Sequence, residues 1–421
     1  MPDATPKNSA IGRVTVATVI AAASGYLVLL LAARDLGAAG YAVFAVFWAA
    51  YGMVTGAQNG QLQEATRAIR AGIDEHAPAS DAPPRGRPWL INALIGVTLA
   101  ALVAATSPLW SGHVFTEHRW LSVLLLSVGV ASFGVYAHLA GALSGAASWG
   151  AFAALLSVDA LIRLAGAIAA VVLGLDLTAF LVITVIGSVS WIVLLLSSSA
   201  ARRAIGLPGD VAARRLTLNT VTAMAAAAAS AVLVMGFPVL INATNGDDAD
   251  TATVGAVVLA VTLTRAPLLV PLNSFQGVLI TRFVDGRQHL WSALRAPAAV
   301  VAAIGVAGSA AAWLIGPWLM TTVFGADFRL SGATLAAFTL GATALALLTV
   351  TGAAAIAVGT HRWYAAGWWA ATGASIALLL LPVGVEARVA IALIAGPVVG
   401  MIVHALALVR RNRPTVASTR D

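Results

Sequence analysis

Apolar stretches of about twenty residues recur from one end of this 421-residue chain to the other, and each can cross roughly 30 Å of hydrocarbon. Charged residues make up only 10% of the chain and hydrophobic residues 60%, which lies well outside the composition of soluble domains. The sequence therefore predicts an all-α polytopic membrane protein.

The apolar runs predict twelve transmembrane helices. Their expected bounds are 11–33, 41–64, 89–106, 120–142, 149–174, 177–198, 216–242, 252–280, 297–316, 332–356, 364–382 and 387–409.

The arginines are distributed unevenly between the two sets of connecting loops. One set carries most of them, and the other carries only Arg34, Arg119, Arg329 and Arg388. Because basic residues are retained on the cytoplasmic side, we expect both termini to be cytoplasmic and the protein to lie in a bacterial cytoplasmic membrane. The net charge of +7 then reflects loops that face anionic lipid headgroups, and no nucleic-acid partner is expected.

Two residue types that common catalytic and energy-coupling sites need are scarce. Cysteine is absent, which excludes disulfides and thiolate metal ligands, and Lys7 is the only lysine, which excludes a Walker A loop. We expect no cofactor and no metal.

Internal repetition predicts two six-helix lobes. Residues 40–67 align without gaps on 255–282, and identical residues recur at Gly40/Gly255, Val43/Val258, Ala45/Ala260, Val46/Val261, Gln61/Gln276, Thr66/Thr281 and Arg67/Arg282. A polar connector, 197–215, divides the chain almost in half. We therefore predict an N-lobe over 1–205 and a C-lobe over 206–421, related by a pseudo-twofold axis around a central cavity.

The stretch TRAPLLVPLNSFQG, 264–277, places in the eighth span polar side chains and prolines that are energetically unfavourable in lipid. Arg265 lies near mid-span, where a guanidinium facing lipid costs several kcal/mol or more. Pro267 and Pro271 free backbone carbonyls, and Asn273 and Gln276 add amides. A substrate-binding cavity wall explains all of these together; the alternative is an arginine that pins helices by pairing with a distant carboxylate.

Other polar residues in the spans have simpler explanations. Asp159 and Arg163 are four residues apart and can pair on one helix face, which favours a structural role, although Arg163 retains donors for an anion. His138 is expected to hydrogen-bond between helices, with proton coupling as the alternative.

Three further residues are candidates for the cavity. Gln58 and Gln61 are the repeat mates of Asn273 and Gln276, and we expect them to face it. Arg13 is explained by anchoring at the cytoplasmic interface, and it can also guard a cavity mouth.

Several phrases in this order resemble the multidrug/oligosaccharidyl-lipid/polysaccharide (MOP) flippase superfamily, in particular its polysaccharide-unit (Wzx-like) branch. The phrases are RDLGAAGYAVFAVFWA (34–49), GALSGAASWGAFAALLSVDALIRL (141–164), ATVGAVVLAVTLTRAPLLVPLNSFQGVLITRF (252–283) and VFGADFRLSG (323–332). The resemblance implies a pair of lobes around a partly cationic cavity. Of the family's cavity arginines, Arg265 matches on span eight and Arg13 on span one, whereas span two has none.

The resemblance implies a flippase, not an enzyme, that moves a polyprenyl-phosphate- or diphosphate-linked saccharide across the membrane for cell-wall or surface-polysaccharide synthesis. Its expected partners are that lipid-linked saccharide, membrane lipids and cell-wall glycosyltransferases. The alternatives are an ion-coupled drug or metabolite antiporter, a polytopic glycosyltransferase that uses a polyprenyl-phosphate sugar, and a scaffold for cell-wall enzymes. The glycosyltransferase would need a paired acidic motif, for which Asp247 and Asp248 are the external candidates.

Overall fold

Fourteen α-helices account for nearly all of the chain that the structure, a computed structural model, describes: residues 5–74, 86–245, 249–285, 290–358 and 360–411. Their bounds are α1 Thr5–Asp74, α2 Pro88–Val114, α3 Arg119–Gly145, α4 Trp149–Leu173, α5 Leu177–Ile186, α6 Ser190–Ser197, α7 Ser199–Ile205, α8 Ala213–Val234, α9 Phe237–Asn245, α10 Thr251–Asp285, α11 Leu290–Phe324, α12 Gly332–Ala357, α13 His361–Leu379 and α14 Val385–Arg411. The predicted all-α polytopic fold class is confirmed.

The first two predicted spans form one long helix. Within α1, the apolar stretch Gly12–Ile73 has 62 residues, which would extend roughly 90 Å if straight, about three times the hydrocarbon thickness. Gly37 interrupts it with φ 65° and ψ −178°, a conformation that glycine adopts without steric cost. The predicted loop between these spans is therefore a kink, and Asp35 lies in helix.

The described residues contain ten stretches that are long and apolar enough to cross a membrane. Counting the two arms of α1 separately and adding the less apolar α13 brings this number to the twelve spans predicted. Two of the spans are broken. A 3₁₀ turn at Gly187–Val189 separates α5 from α6, and Met235 and Gly236 separate α8 from α9.

Short polar side chains begin several helices. Asp176 accepts a hydrogen bond from the backbone N–H of Thr178 (3.0 Å), and Ser331 accepts one from that of Thr334 (3.1 Å). Asp250 caps α10 in the same way, and the hydrogen bonds from Thr253 lower the pKa of its carboxyl. Each cap supplies a partner to a backbone donor that the helix leaves unpaired.

The chain divides into two compact units, residues 1–242 and 243–421. The predicted boundary at 205/206 lies inside the first unit because the connector and α8 pack on it. Arg67 of α1 pairs with Asp210 of the connector at 2.7 Å, and α8 packs along α1. The pseudo-twofold relation of the lobes remains a prediction.

The α1 helix is the centre of the first unit, in contact with α3, α4 and α8. Its approach to α3 depends on glycine. A methyl group at Gly141 would lie 2.6 Å from the carbonyl oxygen of Leu62, and one at Gly145 would lie 2.8 Å from that of Thr66. Small residues at these positions allow the backbones to touch, and packing of this kind replaces the hydrophobic driving force that helices lack within lipid.

In the second unit, α12 takes the central place. It packs against α10, α11 and α14, while α13 packs on α14. Two-thirds of the α12 span is buried inside the structure, compared with 6% of the α11 span. α11 is therefore a peripheral helix, held from one side only.

We predict that Gly141→Leu destabilises the first unit because its side chain must displace the α1 backbone. The expected cost is about 1–3 kcal/mol or more, seen as a fall of several degrees in the thermal unfolding midpoint in detergent. Gly25→Leu is the matched control, since nothing lies within 4 Å of a methyl group there. Equal midpoints for the two variants would contradict the packing argument.

Candidate functional site

Arg265 lies deep within α10, fourteen residues after Thr251 and twenty before Asp285, and its side chain is only 7% exposed. At about 1.5 Å per residue, its Cα lies some 20–30 Å along the helix from either end. The helix continues through both following prolines, at positions 267 and 271. The structure thus places the arginine where the sequence predicted it, buried within the second unit.

The amides that follow Arg265 lie on the same helix. The backbone of Asn273 and Gln276 belongs to α10, and their side chains lie outside the described part of the structure. Their assignment to a substrate-binding surface remains a prediction, as does that of Arg265.

Asp159 and Arg163 form the intrahelical ion pair that their spacing predicted. Nη2 of Arg163 lies 2.9 Å from Oδ1 of Asp159, and the side chains are 16% and 20% exposed, respectively. The guanidinium lies 5.7 Å from the ring centres of both Trp48 and Tyr51 on α1, within cation–π range. The pair therefore bridges α4 to α1.

Close packing at the α5–α6 turn completes the surroundings of this pair. A methyl group at Gly187 would overlap Arg163 Nε and Asp159 Oδ1, so only glycine fits there. Four buried polar atoms surround the turn: Arg163 Nε, the Tyr51 hydroxyl, Ser188 Oγ and Ser190 Oγ. Buried polar groups cost free energy unless they have partners, so these atoms form a polar cluster with the Asp159–Arg163 pair inside the first unit.

Gln58 and Gln61 are fully buried between helices of the first unit. The Gln58 amide donates to the carbonyl of Val130 on α3 (3.0 Å) and to Oε1 of Gln61 (3.3 Å), while Gln61 donates to the carbonyl of Asn92 on α2 (3.1 Å). The expectation that both face an open cavity does not hold in this structure. Their repeat mates in α10 suggested a shared role, but helix packing decides which face of α1 is covered.

His138 extends the same network, and sequence reasoning missed its neighbour Asn92. The Nε2–H of His138 donates to the carbonyl of Ile205 at the end of α7 (2.9 Å), so its Nδ1 accepts from the Asn92 amide at 3.4 Å. Both residues are 2% exposed or less. The predicted interhelical hydrogen-bonding role of His138 is confirmed. Asn92 is a lone asparagine in an apolar span, and that isolation is the sequence feature that could have indicated its buried hydrogen-bonding role.

Arg13 lies at an open pocket of about 510 Å³ between α1 and α4 in the first unit. The pocket is also lined by Gly150 and Ser157, and a methyl group at Gly150 would lie 3.5 Å from the Arg13 guanidinium. The guarding of a cavity mouth and a substrate role both remain predictions for Arg13.

The predicted site residues thus form separate groups. The Asp159–Arg163 pair and the Gln58–Gln61 network belong to the first unit, and Arg265 belongs to the second. Within the described residues, no group of three or more carboxylate or imidazole side chains is arranged to hold a metal ion.

Comparison with solved structures identifies the fold. An inward-facing MATE-family multidrug-resistance transporter of the MOP superfamily matches with a TM-score of 0.73 at 11% identity, over 96% of this chain and 99% of that one. The lipid II flippase MurJ, in an inward closed conformation, matches with a TM-score of 0.72 at 13% identity, over 94% and 87%. The chain has the fold of the MOP superfamily, as predicted.

Comparison of sequences defines the family, although no family profile matches the chain. The uncharacterized protein Rv1510 of Mycobacterium tuberculosis (strain ATCC 25618 / H37Rv) is 49% identical over 403 residues, which cover 95% of this chain and 92% of that one. The uncharacterized protein Rv3630 of the same strain is 46% identical over 407 residues, which cover 96% and 93%. The chain belongs to the family of these two mycobacterial proteins.

We predict that Asp159→Leu is strongly destabilising, by about 3–5 kcal/mol, because it leaves Arg163 mostly buried without its counter-charge. The double variant Asp159→Leu/Arg163→Met removes both charges and is expected to recover most of the loss. Thermal unfolding in detergent measures both. A double variant as unstable as the single one would show that the pair is not self-compensating.

Proposed function

We propose that the protein translocates a polyprenyl-phosphate-linked saccharide between the leaflets of the bacterial cytoplasmic membrane by alternating access. Three features support this proposal: a fold similar to that of the lipid II flippase along nearly the whole chain, a buried mid-span arginine, and hydrogen-bonding groups embedded in the first unit.

Arg265 is the observation on which the proposal depends. A phosphate with no partner would meet a prohibitive desolvation cost in the bilayer interior, and a guanidinium at that depth offsets it with charge-assisted, bidentate hydrogen bonds. Arg265 is carried at mid-span on a helix whose sequence contains two prolines after it. A buried cation in that setting suits an anionic headgroup better than a cationic drug, which it would repel.

The polar atoms beside Asp159 and Arg163 suit the saccharide. The hydroxyls of Tyr51, Ser188 and Ser190 are neutral donors and acceptors, as sugar hydroxyls are. The Asp159 carboxylate is already compensated by Arg163, which favours a flippase over an exchanger that works by protonating an acid.

We predict that Arg265→Ala abolishes translocation while the protein remains folded. The purified variant is reconstituted into vesicles with a fluorescent polyprenyl-phosphate-linked sugar, and leaflet exchange is followed by quenching with an impermeant reductant. The expected loss is about tenfold or more, and Arg265→Lys is expected to retain part of the activity because it keeps the charge.

Arg203→Ala is the matched control, since it removes an exposed arginine from α7. Wild-type exchange by Arg265→Ala with an unchanged unfolding midpoint would reject the proposed site. Uptake of organic cations driven by proton or sodium gradients, without lipid exchange, would favour the antiporter. A change in the mass of the recovered lipid-linked sugar would favour the glycosyltransferase.

A further inference from the structure

An apolar groove runs along the second unit between α10 and α11. It consists of two adjoining cavities of about 310 and 400 Å³ that share Pro267, Leu268 and Ile304. Nearly all of its lining is hydrocarbon. The hydroxyls of Thr264 and Thr339 also border it, but each donates its hydrogen to a carbonyl of its own helix, at 2.9 and 2.8 Å, so neither has a donor left for a polar ligand.

The groove exists because α11 is held mainly by α12. Methyl groups at Gly305 and Gly316 would collide with Thr343 and Leu335 of α12, and Ser309 Oγ donates to the carbonyl of Ala336 at 2.9 Å. Contacts between α10 and α11 are few.

Most side chains on the stretch of α11 nearest the middle of the groove are small. Gly308, Ala311 and Ala312 leave room where larger side chains would close the gap, and residues of α12 form the floor. The groove is therefore built by the fold of the second unit, and it does not depend on a mobile side chain.

The groove is as long as the membrane is thick. Its lining on α10 extends from Ala260 to Arg282, which corresponds to about 33 Å of helix, close to the hydrocarbon thickness of roughly 30 Å. A phospholipid acyl chain fills only its own leaflet, about half of that distance. A chain that occupied the whole groove would have to be longer than a phospholipid's.

One end of the groove is positively charged. Arg282 lines it and is exposed, and the exposed Arg295 directly precedes the lining residues of α11. This is the end that the charge pattern predicts to be cytoplasmic.

The internal repeat shows what distinguishes Arg282. Its repeat mate Arg67 is bound by the carboxylates of Glu64 (2.6 Å) and Asp210 (2.7 Å). The residue of the second repeat that corresponds to Glu64 is Leu279, which lines the groove beside Arg282. The position that supplies a counter-charge to the arginine in the first repeat is thus occupied by an apolar side chain in the second repeat.

We propose that this groove binds the isoprenoid chain of a polyprenyl phosphate, with the phosphate at Arg282 before translocation carries it to Arg265. The length of the groove selects a long chain, its lining selects hydrocarbon, and its charged end selects an anionic headgroup. The identity of this lipid as the transported substrate rests on the proposed function, whereas its binding can be measured independently of transport.

The test measures binding of long-chain polyprenyl phosphate, without a saccharide, to the purified full-length protein by native mass spectrometry. Ala311→Trp fills the groove and is expected to weaken binding about tenfold or more. Its matched control is Ala310→Trp, the same change at the preceding residue, which is exposed and does not line the groove. Equal binding by these two variants would overturn the proposal.

A second pair of measurements tests the charged end. Arg282→Ala is expected to weaken binding of polyprenyl phosphate about tenfold and to leave binding of the uncharged polyprenol unchanged. Equal loss for both lipids would overturn the assignment of the phosphate. Phosphatidic acid, which has the same headgroup on ordinary acyl chains, is expected to bind more weakly, and equal affinity would overturn the isoprenoid assignment.

The two proposals fail in different ways. Groove-dependent binding without exchange of the lipid-linked sugar would leave the groove in place and reject the proposed function. Exchange that depends on Arg265 but is unaffected by Ala311→Trp and Arg282→Ala would reject the groove alone.

Discussion

The cost of an unpaired polar group in hydrocarbon is the constraint on which this structure depends. It forces the backbone into helices, whose hydrogen bonds are internal, and it requires a partner for every polar side chain that enters a span. In the first unit, one set of buried side chains meets this requirement with hydrogen bonds between helices. Gln58, Gln61, Asn92 and His138 connect α1, α2, α3 and the end of α7, so one polar network fixes the positions of four helices.

The second unit meets the same constraint in a different way. Its central helix, α12, is largely buried, and its peripheral helix, α11, has small residues toward α10. The result is an apolar groove with a cationic end, beside a helix that carries a buried arginine. A lipid with a charged headgroup presents the same division between hydrocarbon and charge. Under the proposed function, the first unit would supply polar groups for hydroxyls, and the second would accommodate phosphate and chain.

Local features were the ones that could be predicted. The spans follow from runs of apolar residues, and the Asp159–Arg163 pair follows from residues four apart on one helix, because a helix fixes the geometry of its own side chains. The features that were missed or misplaced depend on a second helix. Gln58 and Gln61 were expected in a cavity, and Trp48 and Tyr51 were not connected with Arg163, because single-sequence periodicity does not identify which helix covers a given face.

The sequence by itself determined that this protein lies in a membrane and is helical. It also determined where the spans lie and where Arg265 lies along one of them. Each of these depends only on hydrophobicity and on helix geometry along the chain. Only the tertiary structure decided that the connector and α8 pack with the first unit, that glycines bring α1 and α3 into contact, and that α10 and α11 leave a groove between them. These outcomes depend on which small residues face which neighbours, and that choice is made by packing between segments distant in the chain.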